Sequence, residues 1–199
     1  MTDRERPRPL MLRLTHWVGA AAMLCMILSG WQIYNASPIL PFTFPIGLGG
    51  WLGAGIAWHI AAMWVLMLDG LVYLVWALIS GHFRRDFLPL SPRAFTRDLA
   101  AALHFRLAHD TDRYNAVQRV LYAGVLIAAI FAVLTGLAIW KPVQFAPLTG
   151  LFGGYPTARV LHFCMMGAIV LFLIVHVALV AIVPATLRRM IYVPRRARP

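Results

Sequence analysis

A chain of 199 residues with 61% hydrophobic and 13% charged side chains is too apolar for a soluble domain, whose apolar share lies near half. Its formal charge of +11 would suit a nucleic-acid partner if it were spread over a surface, but the basic residues are confined to a few segments, which excludes that reading. The two cysteines, Cys25 and Cys164, exclude a disulfide framework and a cysteine-ligated iron-sulfur cluster.

Roughly 20 apolar residues cross about 30 Å of hydrocarbon at 1.5 Å per residue. Four stretches are long enough, at about 10–34, 51–80, 116–140 and 158–183. They predict an all-α, integral membrane four-helix bundle, a single domain over residues 1–199. Arg4, Arg6, Arg8 and Arg13 lie at the start of the first span. Arg84, Arg85, Arg93, Arg97, Arg106, Arg113 and Arg119 lie between the second and third, and Arg188, Arg189, Arg195, Arg196 and Arg198 follow the fourth. Only Lys141 and Arg159 fall on the other side. The excess of arginine on one side predicts both termini and the long middle loop in the cytoplasm of a bacterial inner-membrane protein.

The first span has the basic start of a signal peptide but is long and lacks a small-residue cleavage site, so a retained helix is expected, carrying His16. The two cysteines fall inside spans and read as small buried hydrophobes. The loop "NASPILPFTFPIGLGG", residues 35–50, is rich in proline and glycine but hardly polar, which suits packing on the membrane surface or a partner. The second span carries His59. After it, "SPRAFTRDLAAALHFRLAHD" has Ser91 as N-cap and Pro92 at the first helical position. Phe95, Leu99, Leu103 and Leu107 recur opposite Arg93, Arg97 and Arg106, which predicts an interfacial amphipathic helix on anionic headgroups. His82, His104 and His109 of this loop read as solvated surface. The third span has no histidine; the fourth has His162 and His176. No repeated block or linker stands out.

Four histidines within spans form a functional hypothesis, because an unpaired ring in lipid is costly. His162 and His176 are fourteen residues apart, about 21 Å of rise and nearly four whole turns, so they share a face at two levels. With alternating helix directions, His16 matches His176 in depth near the cytoplasmic side, and His59 matches His162 near the periplasmic side. Two facing imidazoles at one depth, each about 2 Å from a central iron, ligate both faces of a haem. Filling both axial positions leaves electron transfer as the chemistry. Gly30, Gly70, Gly124 and Gly136 recur at these levels and suit the close approach of a helix to a porphyrin, or ordinary close helix packing. A di-metal centre would need several carboxylates at one depth, and Asp69 is the one acid well inside a span.

The motifs "LTHW" and "SGW" in the first span, "WHIAAMW" in the second, "RYNAVQRVLY" and "LTGLAIW" around the third, and the fourteen-residue histidine spacing in the fourth resemble the bacterial cytochrome b561 and hydrogenase-type cytochrome b superfamily. That superfamily includes the membrane cytochrome subunits of formate dehydrogenases, nickel-iron hydrogenases and thiosulfate reductases. The resemblance implies two haem b groups with axial ligands His16, His59, His162 and His176, paired as depth suggests. It implies a quinone site by the cytoplasmic haem at Asn115, with Gln118 one turn on; Asn115 also suits the N-cap of the third helix. The stretch from Leu90 through "KPVQFAPLTGLFGGYP" is similar to the thiosulfate reductase cytochrome b subgroup, which implies a periplasmic molybdopterin oxidoreductase as partner. Haem propionates need cationic or hydrogen-bonding company, for which Arg13 inside and Lys141, Tyr155 and Arg159 outside are candidates.

The expected function is therefore electron transfer between quinone and a periplasmic redox partner, as a subunit with no soluble catalytic domain, flavin or nicotinamide motif. Two other classes are a self-contained b561-type quinone oxidoreductase, marked by turnover without a partner, and a non-redox anchor, marked by a colourless preparation.

Overall fold

The computed structural model describes residues 9–81 and 116–191, with the side chains of 116–119 and 185 left aside. Among the described residues there are six helices: α1 (Leu10–Ala36), α2 (Leu52–Ile79), α3 (Ala116–Trp140), α4 (Ala146–Leu151), α5 (Tyr155–Ile182) and α6 (Pro184–Ile191). There is no strand among the described residues. Four of the helices, α1, α2, α3 from Val120, and α5, are long and apolar enough to cross a membrane. The expected interfacial helix of residues 91–110 and Asn115 lie outside the described residues, as does the side chain of Gln118.

The boundaries follow from local chemistry. Proline has no N–H and disfavours a helical residue before it, and α1 accordingly begins after Pro9 and stops at Ala36, before Ser37 and Pro38. Helix α5 starts at Tyr155, three residues earlier than hydropathy alone suggests, because Gly153 and Gly154 turn the chain at φ of 75° and 92° and Pro156 sits in the first turn. At its other end Pro184 breaks the helix after Val183 and begins α6.

The chain forms two compact units. In the first, α1 and α2 are antiparallel: Gly19 faces Asp69, Cys25 faces Trp58, and Gln32 faces Gly55. Helix α6 joins this unit, where Arg13 of α1 donates from Nε to the Met190 carbonyl at 3.1 Å and from Nη2 to that of Ile191 at 2.8 Å. Trp17 Nε1 also donates to the Met190 carbonyl, at 3.2 Å. These donors satisfy carbonyls that a helix end leaves without intrahelical partners. In the second unit α3 and α5 pair antiparallel, with Thr135 against His162 and Tyr122 against Phe172. Thr149 donates to the Ala138 carbonyl at 3.1 Å and ties α4 to the end of α3.

Large apolar side chains stay on the outside of both units, Ile79 at 84% and Ile182 at 70% exposure, while the buried positions are small residues such as Ala77, Ala138 and Ala158. That inversion suits helices surrounded by lipid, where small residues let backbones approach. Cys164 corrects the expectation of two buried thiols. It is exposed, and Cys25 is half-buried, because Cys164 follows His162 by two residues and so points to the opposite side of α5.

The loop between α1 and α2 is folded onto α1. Asn35 brackets the backbone of Phe44, its Nδ2 donating to the carbonyl and its Oδ1 accepting from the N–H, both at 2.8 Å. Trp31 stacks on Phe44 with ring centroids 4.7 Å apart. Leu40, Phe42 and Ile46 remain exposed on this loop.

Candidate functional site

The histidines are held by the same device in each unit. Ser29 is fully buried, at 0% exposure, and its hydroxyl donates to the Cys25 carbonyl at 2.6 Å, one turn back in α1. Its lone pairs face Nδ1 of His59 at 3.1 Å, and the Met26 carbonyl lies 3.1 Å from the same nitrogen. A carbonyl can only accept and the serine proton is already committed, so Nδ1 of His59 must be the protonated nitrogen. Nε2 is then the unprotonated nitrogen, the form in which an imidazole can ligate a metal.

In the second unit Thr135, also at 0% exposure, donates to the Phe131 carbonyl at 2.6 Å. Nδ1 of His162 donates to the Ala132 carbonyl at 2.9 Å and meets the Thr135 hydroxyl at 3.1 Å. The same logic assigns the Nδ1–H tautomer there. Each hydroxyl is followed by a glycine on which the imidazole rests. A Cβ on Gly30 would stand 3.4 Å from Cε1 of His59, and one on Gly136 would stand 3.2 Å from Cε1 of His162.

The two hairpins therefore repeat a motif that the sequence reading missed. "ILSGWQIY", residues 27–34, and "VLTGLAIW", residues 133–140, carry the hydroxyl and the glycine in the same order. Tyr122 stands fourteen residues before Gly136 as His16 stands fourteen before Gly30, and Tyr73 stands fourteen after His59 as His176 does after His162. At the second level each hairpin thus has one histidine and one tyrosine, with the order exchanged. The hydroxyl–glycine pair just before an aromatic-ended turn was the visible signal. A match of eight residues is too short to register as a repeat until the hydrogen bonds show what it does.

His59 contacts α1 at residues 26–30, ten to fourteen residues beyond His16, which places the two about 15–21 Å apart along that helix. His176 is stacked against Phe172 with centroids 5.8 Å apart, and Phe172 meets Tyr122 edge-on at 6.0 Å. His16 packs edge-on against Trp17 at 5.3 Å. Each unit by itself holds one histidine at each of two levels.

These features fit a porphyrin with axial imidazoles. The tautomers of His59 and His162 present Nε2, and a Cβ on Gly70 or Gly124 would meet nothing within 4 Å, so both glycines border open space. Gly30 and Gly136, by contrast, make room for the imidazoles of His59 and His162. No group of three or more metal-ligating side chains occurs among the described residues.

The remaining candidates are spread out. Arg13 holds the end of α6. Lys141 places Nζ 5.2 Å from the ring centroid of Trp140. Tyr155 is the exposed first residue of α5, and Arg159 is half-buried one turn before His162.

The profile of the prokaryotic cytochrome b561 family matches residues 8–192. A protein of Azospira oryzae described as a protein-methionine-sulfoxide reductase subunit, YedZ1, is 50% identical over 186 residues, covering 92% of this chain and 94% of its own. Proteins described as nickel-iron-hydrogenase B-type cytochrome subunits match at lower identity. That of Cupriavidus necator is 27% identical over 83% of this chain and 74% of its own, and that of Azotobacter chroococcum 25% over 85% and 77%. No solved structure matches the chain.

Proposed function

The chain belongs to the prokaryotic cytochrome b561 family, and from that premise we propose that it is a di-haem b cytochrome subunit, one domain over residues 1–199, moving electrons between the quinone pool and a periplasmic redox partner. It is a multi-pass membrane protein of a haem b family. In this reading it lies in the bacterial inner membrane with both termini cytoplasmic. His16 and His176 hold the cytoplasmic-side haem, and His59 and His162 hold the periplasmic-side haem. The twin hydrogen-bonded imidazoles of His59 and His162, each with Nδ1–H bound to a helix carbonyl, carry the proposal. Such a bond fixes the ring and raises the basicity of the ligating nitrogen.

A haem bound by these histidines would supply a one-electron carrier. The protein's part is to hold ring orientation and spacing. Ser29 and Thr135 fix the tautomer, Gly30 and Gly136 set the depth of each imidazole, and the apolar helix faces exclude water. Quinol binds near Asn115 and Gln118 at the cytoplasmic level. Arg13, Lys141, Tyr155 and Arg159 serve the propionates at the two surfaces. Likeness to a subunit described as part of a methionine-sulfoxide reductase supports flow from quinol outward to a reductase, of which a periplasmic molybdopterin oxidoreductase is the class implied. The exposed Leu40, Phe42 and Ile46 on the ordered loop offer that partner an apolar footing.

A pyridine haemochrome assay with a reduced-minus-oxidised spectrum, normalised to protein, tests the reading. Two low-spin b haems per chain are expected. A colourless, folded preparation supplied with haem would overturn it.

A further inference from the structure

A notch opens in the first unit between the start of α1 and the end of α6. Its volume is about 420 Å³, and its walls are Leu10, Arg13, Leu14 and Trp17 of α1 with Met190 and Ile191 of α6. The α1 residues lie three, four and seven positions after Leu10, so they form one stripe, about 10 Å long, down a single face of the helix. Leu10, Leu14, Trp17 and Ile191 are all exposed.

Among the described residues the charged groups at this notch are all cations. Arg13 uses two of the five N–H groups of its guanidinium on the carbonyls of Met190 and Ile191, and the other three have no partner among the described residues. Arg188 and Arg189 occupy the last turn of α6. The one carboxylate among the described residues, Asp69, meets α1 at Gly19, six residues and about 9 Å beyond Arg13. The carbonyl end of α6 would repel an anion, but Arg13 and Trp17 cover it. At the start of α1, Pro9 stands at the N-cap without a side-chain hydrogen bond, so the first-turn N–H groups, which point back toward the helix end, stay available to an anion.

We propose that this notch binds one anionic phospholipid, of the phosphatidylglycerol class. The lipid phosphate accepts from the remaining N–H groups of Arg13, close to the first turn of α1, and an acyl chain runs inward along Leu14 and Trp17. Charge selects the headgroup: an ammonium-bearing lipid finds no acid at the notch to pair with, whereas an anionic one meets only cations. A free phosphate would satisfy Arg13 but leave the apolar stripe uncovered. Both helices line the notch, so the bound lipid also ties α6 to α1. Arg13 is the one residue of the haem reading that is given a second ligand here, and the four histidines play no part.

The test uses full-length protein purified with its haems, washed free of lipid in detergent and titrated with phosphatidylglycerol or phosphatidylcholine of the same acyl chains, bound lipid being counted by native mass spectrometry. One phosphatidylglycerol per chain is expected, held roughly fivefold to tenfold more tightly than phosphatidylcholine, and it should slow tryptic cleavage at Arg188 and Arg189. Arg13→Gln should abolish the preference, but it also frees the end of α6. Leu14→Trp keeps Arg13 and its two carbonyl bonds and fills the notch, so it should weaken phosphatidylglycerol binding roughly tenfold with lipid-free tryptic cleavage unchanged. Equal retention of the two lipids, or a Leu14→Trp protein that holds phosphatidylglycerol as the wild type does, overturns the inference. Displacement of the lipid by inorganic phosphate would show a site for an anion alone and overturns it too. Phosphatidylglycerol that binds only after the haems are extracted would assign Arg13 to a propionate, again overturning the inference while leaving the haem reading intact.

Discussion

Nδ1 of His162 lies 2.9 Å from the carbonyl oxygen of Ala132, a helix carbonyl that already serves its own α3. The bond orients the ring across the helix pair and leaves Nε2 as the unprotonated nitrogen. His59 and Met26 stand in the same relationship, at 3.1 Å, in the other unit.

Replacing His162 with alanine should remove the periplasmic-side haem and leave the cytoplasmic-side one. The haemochrome value is expected to fall by half with the remaining spectrum unchanged. Loss of both haems, or survival of both, would count against the pairing with His59, and His59→Ala should give the same product.

Thr135→Val removes a hydroxyl from the shared hydrogen bond to His162 while preserving shape. The Ala132 carbonyl keeps the ring in place, so haem content should hold. A weaker bond at Nδ1 makes the ligating nitrogen less basic and stabilises ferric iron less. One hydrogen bond of this kind corresponds to a rise in midpoint potential of about 20–60 mV for one electron, measurable by spectroelectrochemical titration. Ser29→Ala should act in the same direction through His59.

Gly136→Ala introduces a Cβ at 3.2 Å from Cε1 of His162, whereas Gly30→Ala introduces one at 3.4 Å from that of His59. Overpacking of this sort costs about 1–3 kcal/mol, more for the tighter approach. Thermal release of haem should therefore begin at lower temperature in Gly136→Ala than in Gly30→Ala. Equal behaviour would show that neither ring is pinned by its glycine.

Arg13 donates to two carbonyls at the end of α6. Arg13→Ala should loosen that short helix by about 1–2 kcal/mol, in line with lost hydrogen bonds from a cationic donor at a helix C-terminus. Faster tryptic cleavage at Arg188 and Arg189 is the expected readout. An unchanged cleavage rate would mean that packing rather than Arg13 secures α6.

Hydropathy located all four long helices to within a few residues, because a membrane-spanning segment declares itself by length and composition, independent of what it packs against. Helices α4 and α6 escaped notice: they are six and eight residues long, too short for a hydropathy signal, and α6 is held by Arg13 from the other end of the sequence. Asp69 was visible as the lone acid in a span, but its contact with Gly19 was not. The duplicated hydroxyl and glycine were likewise in plain view as residue types without being legible as a device.

Composition, hydropathy and histidine spacing alone determined that this is a four-span membrane protein with imidazoles at two levels, since helix rise and rotation convert sequence separation directly into depth and face. Only the tertiary structure decided which nitrogen of His59 and His162 carries the proton, which glycines support a ring and which border open space, and where Asp69 rests. Each of those depends on an atom contributed by a second helix, and the meeting of two helices is set by side-chain packing that no single stretch of sequence contains.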